Sequence, residues 1–193
     1  ITEVLKRFNM YGCNPAITPV ETNVRLERRD DEKCVDSTVY KQILGSLRYI
    51  CNSRPDIAFN VGLVSKFMDD SRQSHLVATK RILRYLKGTM NHGVLFSSGR
   101  DDNRVTELVW YSDSDWCGDK VDRKSTSGYV FKFCGAPVSW CSKKQRVVAL
   151  SSCEAEYIAA SYTARQALWL DEVLKECQTQ VVRPLRLNVG NKS

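Results

Sequence analysis

The sequence feature that most constrains the fold is a β-prone run that ends in two aspartates. Residues 106–111 alternate in character as a strand does, and Asp113 and Asp115 come where this run breaks. Two carboxylates at one strand end repel each other unless a cation or hydrogen-bond donors neutralise them. The pattern therefore favours either a metal site or a turn that aspartate caps after the strand.

A second pair of carboxylates, Glu154 and Glu156, opens a helix about forty residues later. Between the two pairs the sequence predicts a meander: a strand over 128–134, a turn at Gly135, a strand over 136–141, then an extended segment. The helix is predicted to begin near Cys153. Its predicted core stripe is Ala155, Ile158, Ala159, Tyr162, Trp169, Leu170 and Val173.

Helical periodicity does not decide which of the two glutamates faces the site. With 3.6 residues per turn, Glu154 and Glu156 flank the core stripe on opposite sides, each about 100° from its centre. A glutamate in the first turn is also favoured by the helix dipole without any further role. From the residues alone, both remain candidates.

Together these motifs resemble the ribonuclease H domain of Ty1/copia-type retrotransposon polyproteins. The resemblance rests on residues 111–119, 122–131, 138–145 and 149–157. Residues 1–96 resemble the segment that joins the reverse transcriptase to that domain, notably at 45–49, 54–59 and 80–89. Three regions follow from it: residues 1–35 as the end of a reverse-transcriptase-like region with a linker, 36–103 as a helical connection segment, and 104–193 as a ribonuclease H-like domain that we expect to be truncated.

The predicted fold class is α/β, α+β overall, in which a helical segment precedes a mixed sheet made of an antiparallel meander, a helix and a parallel strand. Apolar periodicity, caps and breakers predict the other elements, with Asp36 or Ser37 as the cap and Val39 in the core stripe of the helix over 36–51. These are helices over 1–12, 36–51, from Pro55 onward and over 73–87 with Gly88 just past the end, a short strand over 93–96, a polar hinge over 97–103, and a last strand over 184–189.

The resemblance also implies a chemistry. Ribonuclease H enzymes cleave RNA in RNA–DNA hybrids with two Mg²⁺ ions, which prefer carboxylate oxygens as ligands. It places Asp113 and Glu156 as catalytic metal ligands, because the glutamate of its helix motif falls on Glu156, with Asp115 as a weaker candidate. The third ligand belongs to an Asp-Asn-Lys-Ser motif in the fourth strand, but Gly190 stands at the aspartate position here. The sequence also stops before the segment that carries the remaining acidic ligand.

We therefore expect an incomplete site. Asp113 and Glu156 supply a charge of −2, or −3 with Asp115, against +4 for two Mg²⁺ ions. The expected ancestral function is hybrid cleavage during reverse transcription, an activity that we expect this chain to lack. Two alternatives stay open: a non-catalytic nucleic-acid-binding module, and a decayed remnant without function. No acidic polymerase motif occurs in the sequence, so we expect no polymerase activity.

Positive charge is concentrated in the first half of the chain and suggests a polyanionic partner. The net charge is +7, and residues 1–100 carry 16 Lys and Arg against 10 Asp and Glu, whereas residues 101–193 carry 13 against 12. Simple solubility explains such a charge equally well. The candidate nucleic-acid contacts are Lys80, Arg81, Arg84, Lys87, Ser125, Thr126, Ser127, Lys143, Lys144 and Arg146. Each could instead belong to a solvated face or a turn.

The cysteine, histidine and apolar patterns restrict the cellular compartment in which the protein is expected. Eight cysteines without a C-x-x-C pair and only two histidines do not form zinc spacing, so free thiols in a reducing compartment are expected. No apolar run approaches the roughly 20 residues of a membrane span. We expect an intracellular protein of the cytoplasm, a virus-like particle or the nucleus. Its expected partners are nucleic acid, above all an RNA–DNA hybrid, and the remainder of a Pol polyprotein, with no membrane and no small-molecule substrate.

Overall fold

A computed structural model describes residues 1–21, 26–27, 31–96 and 107–190. The chain divides into two compact units, Ile1–Gly93 and Val94–Ser193, called here the helical unit and the sheet unit. The predicted hinge over 97–103 lies outside the described residues. No described helix has both the length and the apolar character that crossing a membrane requires.

The helical unit contains helix α1 (Thr2–Arg7), α2 (Ser37–Ile50), a 3₁₀ turn (Pro55–Ile57), α3 (Ala58–Ser65) and α4 (Gln73–Gly88). Of the two predicted caps, Asp36 rather than Ser37 caps α2, because its carboxylate accepts the backbone N–H of Thr38 at 2.8 Å. As also predicted, Pro55 opens the next helical turn. Helix α1 ends at Arg7, five residues before the predicted stop at Gly12.

Apolar residues at helical spacing form the core of this unit. Val39, predicted for the core stripe of α2, is instead 42% exposed. All four helices and the 3₁₀ turn contribute to one buried cluster, which comprises Leu5, Tyr40, Ile43, Leu44, Leu47, Ile50, Ile57, Val61, Val64, Ile82, Leu83 and Leu86.

A buried arginine joins the start of α3 to the end of α4. Arg54 is 4% exposed, and its guanidinium holds the Asp56 carboxylate at 2.6 and 2.9 Å. The same group donates to the Thr89 carbonyl oxygen at 2.9 Å and to the Thr89 hydroxyl at 2.7 Å. Burial opposes ionisation of Asp56, but the bonds from Arg54 and Tyr85 outweigh it and hold the pKa of Asp56 below its ordinary value. This network gives Arg54, Asp56, Tyr85 and Thr89 a shared structural role.

The end of α4 differs from the prediction. Gly88 is the last helical residue and Thr89 is the C-cap, at φ −123°. The position is closely packed, because a Cβ on Gly88 would lie 3.0 Å from the Cβ of Pro15 and the segment around Pro15 would have to move slightly. The strand predicted over 93–96 is wrong, since these residues are irregular.

The sheet unit contains β1 (Leu108–Asp115), β2 (Thr126–Phe133), β3 (Ala136–Lys144), α5 (Ser152–Glu176) and β4 (Arg186–Val189). The strand order is β3-β2-β1-β4; β1, β2 and β3 are antiparallel, and β4 runs parallel to β1. The predicted mixed α/β fold class is confirmed. Strand β1 extends further than predicted, because Ser114 and Asp115 pair with Ser127 and Thr126 of β2.

Helix α5 covers one face of the sheet with small residues. Its buried positions recur every four residues, at Ala155, Ala159, Thr163, Ala167 and Asp171. Small side chains let the helix backbone approach the sheet closely, and the larger Leu170 and Leu174 are only partly buried against the core. The prediction of Trp169 in the core stripe is therefore wrong: it is 58% exposed. On the sheet side, Leu108, Trp110 and Phe131 form the core together with Ala167 of α5.

Candidate functional site

The parallel pairing of β4 with β1 brings position 190 to Asp113. The backbone N–H of Gly190 donates to the carbonyl oxygen of Ser112 at 3.1 Å, which extends the ladder by one bond. A Cβ on Gly190 would lie 2.8 Å from Oδ1 of Asp113. Any side chain at position 190 would therefore touch the carboxylate of Asp113.

Glu156 meets the same end of β1 from the first turns of α5. Its Oε1 accepts the backbone N–H of Ser114 at 3.2 Å. Its Oε2 is buried and has no hydrogen-bond partner among the described residues, and the same is true of the Ser114 hydroxyl. A buried carboxylate oxygen without a donor is costly and is typical of a group that awaits a ligand or a water molecule.

Glu154 has a different task at the start of the same helix. Its Oε2 accepts the backbone N–H of Leu150 at 2.6 Å, while its own N–H donates to the Ser151 hydroxyl at 3.1 Å. These reciprocal bonds hold the first turn of α5. Of the two glutamates that flank the core stripe, only Glu156 reaches β1.

Asp115, the weaker ligand candidate, is engaged within the fold. Its Oδ1 accepts the backbone N–H of Thr126 in a very short hydrogen bond. Its carboxylate also lies where a Cβ on Gly118 would have to be, so the turn after β1 closes tightly over it. This placement matches the turn-capping alternative for an aspartate after a strand.

The side chains at this strand end do not fit a pair of Mg²⁺ ions. Within residues 1–21, 26–27, 31–96 and 107–190, no group of three or more His, Cys, Asp and Glu side chains is placed to hold a metal. Asp113 and Glu156 carry −2 together, and Gly190 adds no oxygen beside Asp113. Even with water molecules as further ligands, two carboxylates leave the +4 charge of two Mg²⁺ ions only half neutralised.

Two of the three predicted hydroxyl contacts are used inside the fold. Ser125 is buried, and its hydroxyl accepts the backbone N–H of Cys117 at 3.1 Å. Ser127 is also buried, and its hydroxyl accepts from the side-chain amide of Gln145 at 2.9 Å. Thr126 lies between them, half-buried. Ser125 therefore stabilises the β1–β2 connection, and Ser127 links β2 to Gln145 after β3.

The cations near the end of β3 separate into paired and exposed ones. Lys144 forms ion pairs with Asp119 at 2.6 Å and Asp122 at 2.7 Å. Burial opposes its charge, but these partners outweigh burial and raise the pKa of Lys144. Lys143 and Arg146 are exposed and form no ion pair with a described residue.

Gln145 is a structural residue that the sequence patterns did not single out. It is 2% exposed, and its side-chain amide donates to Ser127 and to the carbonyl oxygen of Ala155, both at 2.9 Å. It thereby fixes β2 against the first turn of α5, one residue before Glu156. The only sequence signal was its place inside the motif at 138–145, because periodicity carries no information about such a bond.

In the helical unit, the four predicted α4 cations are unequally available. Arg81 and Arg84 are half-buried, and Lys87 lies over the ring of Tyr11 at 4.2 Å. Lys80 is exposed and forms no ion pair with a described residue. Residues 11–21 therefore cover part of the predicted basic surface.

The fold and the site thus define a mixed α/β protein with carboxylates from a strand and a helix at the end of a parallel strand pair. The chain is 41% identical over 184 residues to the retrovirus-related Pol polyprotein from transposon RE1 of Arabidopsis thaliana, an alignment with 95% of this chain and 12% of that protein. It is 41% identical over 184 residues to the corresponding polyprotein of transposon TNT 1-94 from Nicotiana tabacum, with 91% and 13% covered.

A third relative is far shorter. The chain is 47% identical over 132 residues to the secreted RxLR effector protein 161 of Plasmopara viticola, with 68% of this chain and 90% of that protein covered. No protein-family model matches the chain, and no solved structure matches it. The chain belongs to the Pol polyproteins of copia-type retrotransposons. It spans 12 to 13% of the length of the RE1 and TNT 1-94 polyproteins.

Proposed function

We propose that the sheet unit is a ribonuclease H-like domain of a Pol polyprotein and that, with glycine at position 190, it does not cleave RNA in RNA–DNA hybrids. The observation that carries this proposal is the convergence at the end of β1. Glu156 bonds the backbone of Ser114, and position 190 adjoins Asp113, yet only two of these three positions carry a carboxylate. Membership of a reverse-transcribing element's polyprotein family supports the class of reaction.

The size of the expected defect follows from electrostatics. In two-metal hydrolysis, Mg²⁺ ions activate the attacking water and stabilise the leaving oxygen. Removing one preorganised electrostatic stabiliser costs about 10² to 10³ in rate, or roughly 3 to 4 kcal/mol, and a missing carboxylate ligand should cost at least as much.

The test is a cleavage assay on a hybrid with a labelled RNA strand, in Mg²⁺ and in chelator. The wild-type chain and Asp113→Asn, purified side by side, should both give only background cleavage. The variant is the matched control for contaminating host nuclease. Chelator-sensitive cleavage by the wild type that Asp113→Asn abolishes would show that glycine at position 190 is tolerated and that the proposal is wrong.

A second candidate function, non-catalytic nucleic-acid binding, is favoured by the exposed Lys143 and Arg146 beside this strand end. If each neutralises one phosphate, replacing both with alanine should flatten the slope of log affinity against log salt by about 2 units. Lys175→Ala is the matched control, because Lys175 already forms ion pairs with Asp171 and Glu172. A chain that neither binds nor cleaves hybrids would leave the decayed remnant as the remaining hypothesis.

A further inference from the structure

Residues 11–21 form a strap along the basic side of α4. The backbone N–H of Ala16 donates to the carbonyl oxygen of Arg84 at 3.2 Å, which fixes the strap at its middle. Ala16 is buried, whereas the neighbouring Ile17 is 94% exposed. The strap is thus an irregular segment attached to the helix at a few points.

Arg81 is held at the far end of the strap by three acceptors. Its guanidinium bonds the Glu21 carboxylate at 2.5 Å, and the carbonyl oxygen and the hydroxyl of Thr18 at 3.2 Å each. The Glu21 side chain is 59% exposed, so this ion pair is open to water. Exposed ion pairs of this kind are weakly stabilising.

Arg84 and Lys87 are held nearer the start of the strap. Arg84 donates to the carbonyl oxygen of Asn14 at 2.8 Å, and the Lys87 ammonium lies 4.2 Å from the centre of the Tyr11 ring. Pro15 sits against Gly88, where a Cβ would approach it to 3.0 Å. Of the four α4 cations, Lys80 alone is exposed, whereas the other three are half-buried.

The acceptors that the strap offers to these cations are a carboxylate, carbonyl oxygens and a hydroxyl. A nucleic-acid backbone offers the same cations anionic phosphate oxygens at regular spacing, with counterion release as an added gain. We propose that the basic side of α4 is a phosphate-backbone binding surface that the strap closes, with Glu21 in the place of a phosphate, and that nucleic acid must displace the strap to bind there. This inference rests on the proposal that the chain handles nucleic acid and adds how that contact is regulated.

Two variants open the strap by unrelated means. Glu21→Gln removes the carboxylate from Arg81. Gly88→Ala adds a Cβ against Pro15 at a helical position where alanine is otherwise favourable. Glu3→Gln is the matched control, because it makes the same charge change at an exposed glutamate on α1.

The measurement is the affinity for a fluorescent RNA–DNA hybrid, by anisotropy over a range of salt concentrations. Only molecules with an open strap bind, so a variant that opens the strap fully raises the apparent affinity by the inverse of the wild-type open fraction. If the wild-type strap is open one-tenth of the time, binding should tighten on the order of tenfold. Glu21→Gln and Gly88→Ala should both tighten binding and steepen its salt dependence, and Glu3→Gln should change it less than twofold. Tightening by neither variant, or equal tightening by Glu3→Gln, overturns the inference.

Hydrogen exchange at the Ala16 amide gives a second readout. Adding the hybrid to the wild-type chain should speed exchange at Ala16, because displacement breaks its bond to Arg84. Slower exchange on binding would mean that the strap stays in place, which overturns the inference. Binding that Lys143→Ala and Arg146→Ala reduce, but that Glu21→Gln and Gly88→Ala leave unchanged, would reject the strap and leave nucleic-acid binding by the sheet unit standing.

Discussion

The helical unit and the sheet unit use their buried residues differently. In the helical unit the described core cluster has twelve buried apolar residues, against four in the sheet unit. The sheet unit instead joins β1, β2 and α5 through buried hydroxyl and amide side chains, among them Ser112, Thr163 and Gln145. Apolar burial supplies stability without direction, whereas hydrogen bonds fix orientation. The comparison indicates that the smaller apolar cluster of the sheet unit is supplemented by hydrogen bonds that orient the carboxylate-bearing end of β1.

The largest expected effect is a cavity in the helical core. Leu44→Ala should lower the free energy of unfolding of the helical unit by about 2 to 5 kcal/mol, because Leu44 is fully buried. Denaturation followed by circular dichroism reports this loss. All four tryptophans, at 110, 116, 140 and 169, belong to the sheet unit, so tryptophan fluorescence should not shift.

The control for that experiment is Val39→Ala on the same helix, where the side chain is 42% exposed. It should change stability by only a few tenths of a kcal/mol. Equal shifts of the fluorescence and the circular dichroism transitions in Leu44→Ala would show that the two units unfold as one, and would break the comparison.

A smaller effect is expected where the sheet unit relies on a hydrogen bond. Thr163 donates to the Ser112 hydroxyl at 3.0 Å, and both residues are buried. Thr163→Val keeps the shape but leaves Ser112 without this partner, which should cost about 1 to 3 kcal/mol by tryptophan fluorescence. Ser161→Ala, at an exposed position of α5, should be neutral. If Thr163→Val left the stability unchanged, the hydrogen bond between Thr163 and Ser112 would contribute nothing to the stability of the sheet unit.

The smallest effect is a pH dependence of the helical unit. His75 is fully buried against the Phe67 ring at 3.9 Å, and its Nδ1 accepts the backbone N–H of Arg72 at 3.0 Å. Burial lowers the pKa of His75, so the unfolded chain takes up a proton before the folded one. The stability contributed by neutral His75 is therefore present above about pH 6.5 and is lost as the pH falls below it.

Stability of the helical unit should thus decline between pH 7 and pH 5 in the wild type, and the slope should vanish in His75→Gln. His92→Gln, at the other and exposed histidine, should keep the slope. An unchanged slope in His75→Gln would assign the pH dependence to other groups.

Sequence patterns predicted the helices and strands better than the tertiary contacts between them. The helices over 36–51 and 73–87, the cap at Asp36 and the order of strands follow from periodicity, breakers and the resemblance. Periodicity placed the bulky Trp169 in the core stripe of α5, but close packing of helix and sheet favours small buried residues such as Ala159 and Thr163. Local sequence patterns also gave no sign of an acid near the α4 cations, because Glu21 lies sixty residues from Arg81 in the sequence.

The candidate site was predictable in part for the same reason. Asp113 and Gly190 are adjacent through the parallel ladder, which the resemblance implied but no local pattern contains. Periodicity left Glu154 and Glu156 equal, and only the resemblance favoured Glu156. The contacts that separate the two, from Glu154 to Leu150 and from Glu156 to Ser114, require the folded chain. Contacts between distant segments are what sequence periodicity leaves out.

The central claim is that a carboxylate at position 190 would be the third acidic ligand of a site with Asp113 and Glu156. A Mg²⁺ titration of Gly190→Asp by calorimetry tests it directly, and the new side chain is accommodated because the atom it meets is the movable end of Asp113. Gly190→Asp should bind Mg²⁺ at least about tenfold more tightly than the wild type, or about 1.4 kcal/mol. Adding Asp113→Asn should remove that gain, and Gly45→Asp, at an open position of α2, should not produce it. Equal Mg²⁺ affinity in the wild type and Gly190→Asp, or a gain that survives Asp113→Asn, would contradict the account.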